Sequence, residues 1–279
     1  MLVKTAICLL MFSGVCTVLG SKTHSYLSWA HPNTSSSPDQ TGEKPFQWRG
    51  TIDSGQFIEI KGIYGDIHAE STTGSEVEVI ATKSAGHSNP AEVEIRTLRN
   101  NQGVTICAIY PSSLPAKPNI CEAGDGSSHV HNNDVRVDFT VRVPSHLRLI
   151  ARTITGNIDV TSMRSDVEAY TALGNIRIST SEYARARSIS GSITAALGNA
   201  NWSGQLDFES STGEITVKLP ANANTEVHAE SITGNISTEF PLTIQGSAGS
   251  SSVNGTIGIG GRKLNLKTIS GPIKVLHAT

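Results

Sequence analysis

The sequence predicts an all-β protein, a repeat-built β-solenoid of the β-helix type with a β-hairpin-rich N-terminal portion. Three observations predict it. One pattern recurs along the chain: apolar, any, apolar, any, Ser/Thr, any, any, Gly, any, apolar, any, apolar. Each half of that pattern alternates with the period of two that buries one face of a short strand and wets the other. No window keeps the i, i+3, i+4, i+7 spacing of a helix over three turns, and glycine interrupts every candidate.

Taken in order, residues 1–20 read as an export signal. Lys4 supplies the positive start, Ala6 to Val18 is an apolar run, and Val18-Leu19-Gly20 places the cut before Ser21. The run is shorter than the ~20 residues a membrane span needs. A lipid anchor on Cys16 would need a better lipobox than Ser13-Gly14-Val15 provides. No later segment is long and apolar enough to span, so the mature chain is expected to lack a transmembrane helix. Residues 21–45, rich in Ser, Thr, Pro, Asn and Gln, cannot bury enough apolar area to offset their ordering entropy and read as a disordered tether.

Residues 46–144 form a β-rich portion. Ile58 to Ala69 is an early, looser copy of the repeat with Gly62 in the Ser/Thr slot. Val77-Glu78-Val79, Val93-Glu94-Ile95 and Val104-Thr105-Ile106 alternate, and Asn100-Asn101-Gln102-Gly103 supplies a turn between the last two. Val135, Val137, Phe139, Val141 and Val143 make the strongest strand, ending at Pro144. Pro111 to Asn133 is a long loop. Cys8 and Cys16 leave with the signal, so Cys107 and Cys121 remain, and in an exported chain they most simply form one disulfide at the base of that loop. This portion is either a separate domain or continuous with the regular repeats C-terminal to it.

Residues 145–279 carry the regular array: Leu149 to Val160, Val167 to Ile178, Ala184 to Ala195, Leu206 to Val217, Val227 to Thr238 and Leu264 to Val275, with Val253 to Ile259 keeping only a second half. The turn glycines are Gly156, Gly174, Gly191, Gly213, Gly234 and Gly271, with Gly255 in the partial copy. Glycine there permits positive φ or a close approach that a Cβ would obstruct. The Ser/Thr three residues before it is expected to bond locally and hold the bend. Ile158 with Val160, Ile176 with Ile178, Ile215 with Val217 and Ile273 with Val275 should stack in successive coils, since a single coil cannot bury its own face.

The tetrads Thr153-Ile154-Thr155-Gly156, Ser188-Ile189-Ser190-Gly191, Ser231-Ile232-Thr233-Gly234 and Thr268-Ile269-Ser270-Gly271 resemble the turns of a bacterial putative-adhesin family of β-strand-repeat proteins, domain of unknown function 4097. The Val104 to Pro111 segment, Cys121 and the Val135 to Pro144 strand are also similar to that family. The resemblance covers roughly Phe46 to the C-terminus. It implies an exported bacterial β-strand-repeat protein of the cell envelope and brings no catalytic residues.

Candidate chemistry is sparse. A net charge of -2, from 22 Lys+Arg against 24 Asp+Glu, leaves no basic stripe for nucleic acid. His129 and His131, with Asp134 near, could place two imidazoles on one face, but two ligands do not make a metal site. Glycoside hydrolysis needs two carboxyls ~5–9 Å apart, which Glu209 with Glu214, or Glu226 with Glu230, could supply. Against that, Asp159, Arg177, Thr194, Thr216, Ser237 and Lys274 occupy equivalent outward places, and so mixed a column reads as a solvated surface. No G-x-S-x-G elbow surrounds Ser190. The sequons at Asn33, Asn201, Asn235 and Asn254 are chance products of the repeat.

The expectation is therefore a non-enzymatic protein with no cofactor and no metal. It is a secreted, adhesin-like binding or scaffolding module, periplasmic, on the outer surface or extracellular. Its partner would be an unknown envelope or extracellular protein or glycan, and not nucleic acid. The alternative is a carbohydrate-active enzyme, a polysaccharide lyase or glycoside hydrolase, on the same solenoid. Solenoid ends expose unpaired strand edges, so either the front segment covers one end or the protein forms an oligomer through its ends.

Overall fold

A computed structural model describes residues 44–244 and 251–278. The proposed signal and nearly all of the tether lie outside the described residues. Apart from a one-turn 3-10 helix at Pro90–Glu92, the regular structure is strand.

Each repeat folds into two strands that part at its glycine and enter different sheets. The first halves are β2 (Phe57–Lys61), β8 (Arg148–Thr155), β10 (Val167–Leu173), β12 (Ala184–Ser190), β14 (Leu206–Thr212), β16 (Thr225–Ser231) and β20 (Arg262–Ser270). The second halves are β3 (Ile67–Thr72), β9 (Ile158–Met163), β11 (Ile176–Thr180), β13 (Ile193–Leu197), β15 (Ile215–Leu219), β17 (Ile236–Thr238) and β21 (Ile273–His277). Within each sheet these strands pair in parallel, coil upon coil. The aliphatics between the sheets form one continuous core. Ile158, Ile176, Ile193, Ile215 and Ile273 occupy one register position on successive strands and are buried. Burying each is worth roughly 1.5–3 kcal/mol.

The remaining strands are β1 (Phe46–Gly50), β4 (Val77–Ser84), β5 (Glu94–Asn100), β6 (Gly103–Ile109), β7 (Arg136–Pro144), β18 (Leu242–Ile244) and β19 (Ser252–Ile257). The strongest strand of the sequence, β7, joins β3 in parallel, and β6 joins β2 in parallel, so the front portion extends both sheets. Its antiparallel strands then finish that end: β5 on β6 in one sheet, β4 and β1 beyond β7 in the other. At the far end, β19 adds antiparallel to β16 and β18 antiparallel to β19, while the other sheet ends on the three-residue β17. Short strands and antiparallel additions of this kind blunt an otherwise open parallel edge.

Spatial order departs from chain order at both ends. In the sheet of first halves the strands run β18, β19, β16, β20, β14, β12, β10, β8, β2, β6, β5. The last repeat, Leu264 to Val275, therefore lies between the repeats at 206–217 and 227–238. Likewise the Ile58 to Ala69 coil lies inside the β6–β7 layer. The Val253 to Ile259 segment is no coil corner: Gly255 sits within antiparallel β19, opposite Val227.

The local bond expected is made at one corner, where Ser231 Oγ accepts from the Gly234 N–H at 2.8 Å, and at every Ser/Thr corner the hydroxyl also bonds across coils. Thr171 Oγ1 donates to the Gly156 carbonyl of the adjacent coil at 3.0 Å, Ser188 Oγ to Gly174 at 3.1 Å, and Ser210 Oγ to Gly191 at 2.9 Å. Thr153 to Gly65 at 3.1 Å, Thr268 to Gly213 at 3.2 Å and Ser231 to Gly271 at 2.8 Å continue the ladder. Three residues on, the corner glycine needs its missing side chain because coils approach there. A Cβ on Gly174 would overlap the Gly156 carbonyl, and one on Gly234 would overlap that of Gly271.

Candidate surface groove

The outer face of the first-half sheet carries the chemistry. Register places Lys61, Arg152, Tyr170, Arg187, Glu209, Lys267 and Glu230 in one outward column. Beside it, the residue after each corner hydroxyl stands out of the fold and builds a ridge. Ile154, Ile189, Ile232 and Ile269 are all exposed there. Such isoleucines alternate with nothing, which is why their sequence positions read only as turn.

The disulfide loop closes one side. Cys107 in β6 is bonded to Cys121, as chemistry in an oxidising compartment allows, with Cα atoms 5.6 Å apart. Cys121 lies midway along the 111–133 loop and not at its base, and just past the bridge residues 122–125 are fastened by polar groups. Lys61 Nζ donates to the carbonyls of Glu122 and Gly124, each at 2.8 Å. Glu59, with 0% exposure, accepts from Thr105 Oγ1 at 3.0 Å, from the Gly124 N–H at 3.0 Å and from Arg152 Nε at 2.9 Å. A buried carboxylate so fully bonded is tolerated, whereas one losing its cation would be costly. Burial lowers the Lys61 pKa from its ordinary value, against the pull of Glu59 and Glu122.

Between loop and ridge runs a groove of about 420 Å³. Its floor is Lys61, Arg152, Tyr170, Arg187 and Glu209; its walls include Ile120, Ile154 and Ile189. The Arg152 guanidinium lies 4.2 Å from the centre of the Tyr170 ring, a cation–π contact. Burial, then the hydrogen bond to Glu168, raises the Tyr170 pKa. Arg187 meets Asp207 at 3.3 Å and Glu209 at 3.4 Å. Loop cover also explains why Ile63, the ridge residue of the Gly62 coil, is buried while its counterparts are not.

The other candidate residues fall apart. Glu209 lines the groove, but Glu214 lies past the corner, bonded to Lys274 at 2.8 Å and to Thr216 at 2.6 Å. Those bonds, Lys274 first, hold the Glu214 carboxyl below its usual range. Glu230 pairs with Lys267 at 3.3 Å. The column Asp159, Arg177, Thr194, Thr216, Lys274, Ser237 is contiguous on the opposite sheet. Asp134 accepts the backbone N–H groups of His87 and Ser88, both at 2.8 Å. These bonds, Ser88 first, depress its pKa. Among the described residues no group of three or more His, Cys, Asp or Glu is placed to hold a metal ion. No helix among them is long and apolar enough to cross a membrane.

Two parallel sheets coiled around one core, with a loop-walled groove on one outer face, define a β-solenoid-like repeat protein. The chain belongs to the Toastrack DUF4097 family, whose model matches residues 54–276. No curated protein matches it. Among solved structures it is similar to a putative cell adhesion protein from Clostridium sporogenes, at 14% identity over 84% of this chain and 100% of that one, with a TM-score of 0.45. A putative adhesin from Bacteroides fragilis shares 11% identity over 84% and 97%, TM-score 0.31. A putative lipid binding protein from Parabacteroides distasonis shares 12% over 85% and 98%, TM-score 0.24.

Proposed function

We propose that this chain is an exported, non-enzymatic binding or scaffolding module of the cell envelope, and that it receives its protein or glycan partner in the groove beneath the disulfide loop. The observation that carries this is the double fastening of the loop. A covalent bond at Cys121 and, at residues 122–125 just past it, the contacts of Glu59, Lys61 and Arg152 hold the middle of the loop in place before any partner arrives, so less ordering entropy remains to oppose binding. The apparent signal at residues 1–20 and the Cys107–Cys121 bond both support export.

Immobilised mature protein should retain an envelope component, and Arg187→Gln should reduce that retention. Envelope extracts and glycan arrays that gave only background would remove the binding reading. Sequencing the N-terminus of the exported protein should find Ser21. For the enzymatic alternative, Glu209 and Glu214 face separate surroundings, each paired with its own cation. Turnover of a uronate-containing polysaccharide abolished by Glu209→Gln would revive it.

A further inference from the structure

We propose that the groove takes a linear acidic glycan, lying across the strands, with its carboxylates on Arg152 and Arg187. This rests on the reading of the groove as the binding surface and names the chemistry of its ligand.

Spacing is the first argument. Arg152, Tyr170 and Arg187 are register partners on β8, β10 and β12. Adjacent strands lie ~4.8 Å apart, so the Cα atoms of the two arginines stand about two spacings, or ~9.6 Å, from each other, with both side chains reaching toward the next strand, Arg152 over Tyr170 and Arg187 to Asp207. An extended hexose chain advances by about one strand spacing per sugar, so carboxylates on alternate sugars fall on the two arginines. An extended peptide advances only ~3.3 Å per residue and drifts out of step with such rows. Nor can a peptide add as a strand here, because β8, β10 and β12 are interior to the sheet and paired on both sides.

Orientation is the second. Each guanidinium is held by a carboxylate on the neighbouring strand, Arg152 by buried Glu59 at 2.9 Å and Arg187 by Asp207 at 3.3 Å, and Arg187 also meets half-exposed Glu209 at 3.4 Å, a pair that a ligand carboxylate would displace. A planar fork so held presents its other nitrogens to a carboxylate ligand. At Arg152 that place is taken by Asp125 at 2.8 Å, on the loop and 95% exposed. Such an exposed ion pair is worth little, and a ligand carboxylate replaces it like for like. Ile154 and Ile189, also two strands apart, offer apolar contacts to the C–H faces of the sugars.

The test is calorimetric titration of the mature, disulfide-bonded protein with hyaluronan oligosaccharides, in which uronate alternates with a neutral sugar. Cello-oligosaccharides and poly-glutamate serve as comparisons. Binding of the first alone is expected, weakening with salt. Arg187→Gln, at a half-exposed position, should cost at least tenfold without lowering Tm; Asp125→Asn should tighten binding severalfold. No binding of the acidic oligosaccharide, equal binding of poly-glutamate, or indifference to Arg187→Gln would overturn the proposal. If Arg187→Gln abolishes retention of an envelope component while hyaluronan is ignored, the glycan assignment falls and the groove reading stands. If that variant retains the component as before, the groove reading itself fails.

Discussion

At Thr171 the side chain is buried and its hydroxyl is committed to a carbonyl in the next coil. Replacing it with valine keeps the shape and removes a donor from the half-buried Gly156 carbonyl, costing about 1 kcal/mol. Thermal denaturation of Thr171→Val should show Tm lower by several degrees; an unchanged Tm would mean that the hydroxyl ladder contributes nothing. Gly174→Ala should cost more, above about 3 kcal/mol, since its Cβ would overlap backbone and not a side chain that can turn away. Gly204→Ala is the control. That residue also has positive φ, at +65°, but open space around it, and about 1 kcal/mol is expected there. Hydroxyl and glycine were both visible in the repeat. Their joint role across coils was not, because a sequence shows Thr171 three residues from Gly174 and gives no sign that Gly156 lies against it.

The elements that alternate over a long run were legible, and the short ones were missed. β7, β10 and β14 follow from period two. β1 and β18 alternate as well, Phe46 with Trp48 and Leu242 with Ile244, but over only five and three residues, as edge strands paired on one side. Trp202, among the largest fully buried side chains, sits in a turn-rich stretch between β13 and β14 where no periodicity marks it. The groove was less legible still. Lys61, Arg152, Tyr170 and Arg187 become neighbours only once the coils stack, and the loop over them is irregular. Cys107 and Cys121 were the exception, readable from export and count. With a sequence separation of 14 between the bonded positions, losing that bridge should cost about 3 kcal/mol. Cys107→Ser with Cys121→Ser should thus lower Tm by on the order of 10 °C. Faster amide exchange across residues 119–129, with little change in β12–β15, would localise the effect. Uniformly faster exchange would instead make the bridge part of the whole fold's stability.

Over the whole molecule, coils are interchangeable units, and that is why their order could not be read. Repeats at 206–217 and 264–275 carry the same inward pattern and could lie in either place at similar cost, whereas 227–238 ends on half-buried Ile236 and exposed Thr238. What sets the arrangement is how the chain closes its ends: β16 and β17 form the terminal layer with β18 and β19, and the last repeat returns to fill the place within. The front does the same, with β6 and β7 outside β2 and β3. This order decides which surface residues become neighbours, and hence every column of the outer faces. Cysteine pairs test it directly. Thr216 and Lys274 are register partners on β15 and β21, while Ser237 lies one strand further on. Adjacent Cα atoms fall within disulfide reach, and a residue two strands away, at ~9.6 Å, does not. Under mild oxidation Thr216→Cys/Lys274→Cys should cross-link nearly completely and Thr216→Cys/Ser237→Cys should stay reduced; the reverse result would contradict the stack described.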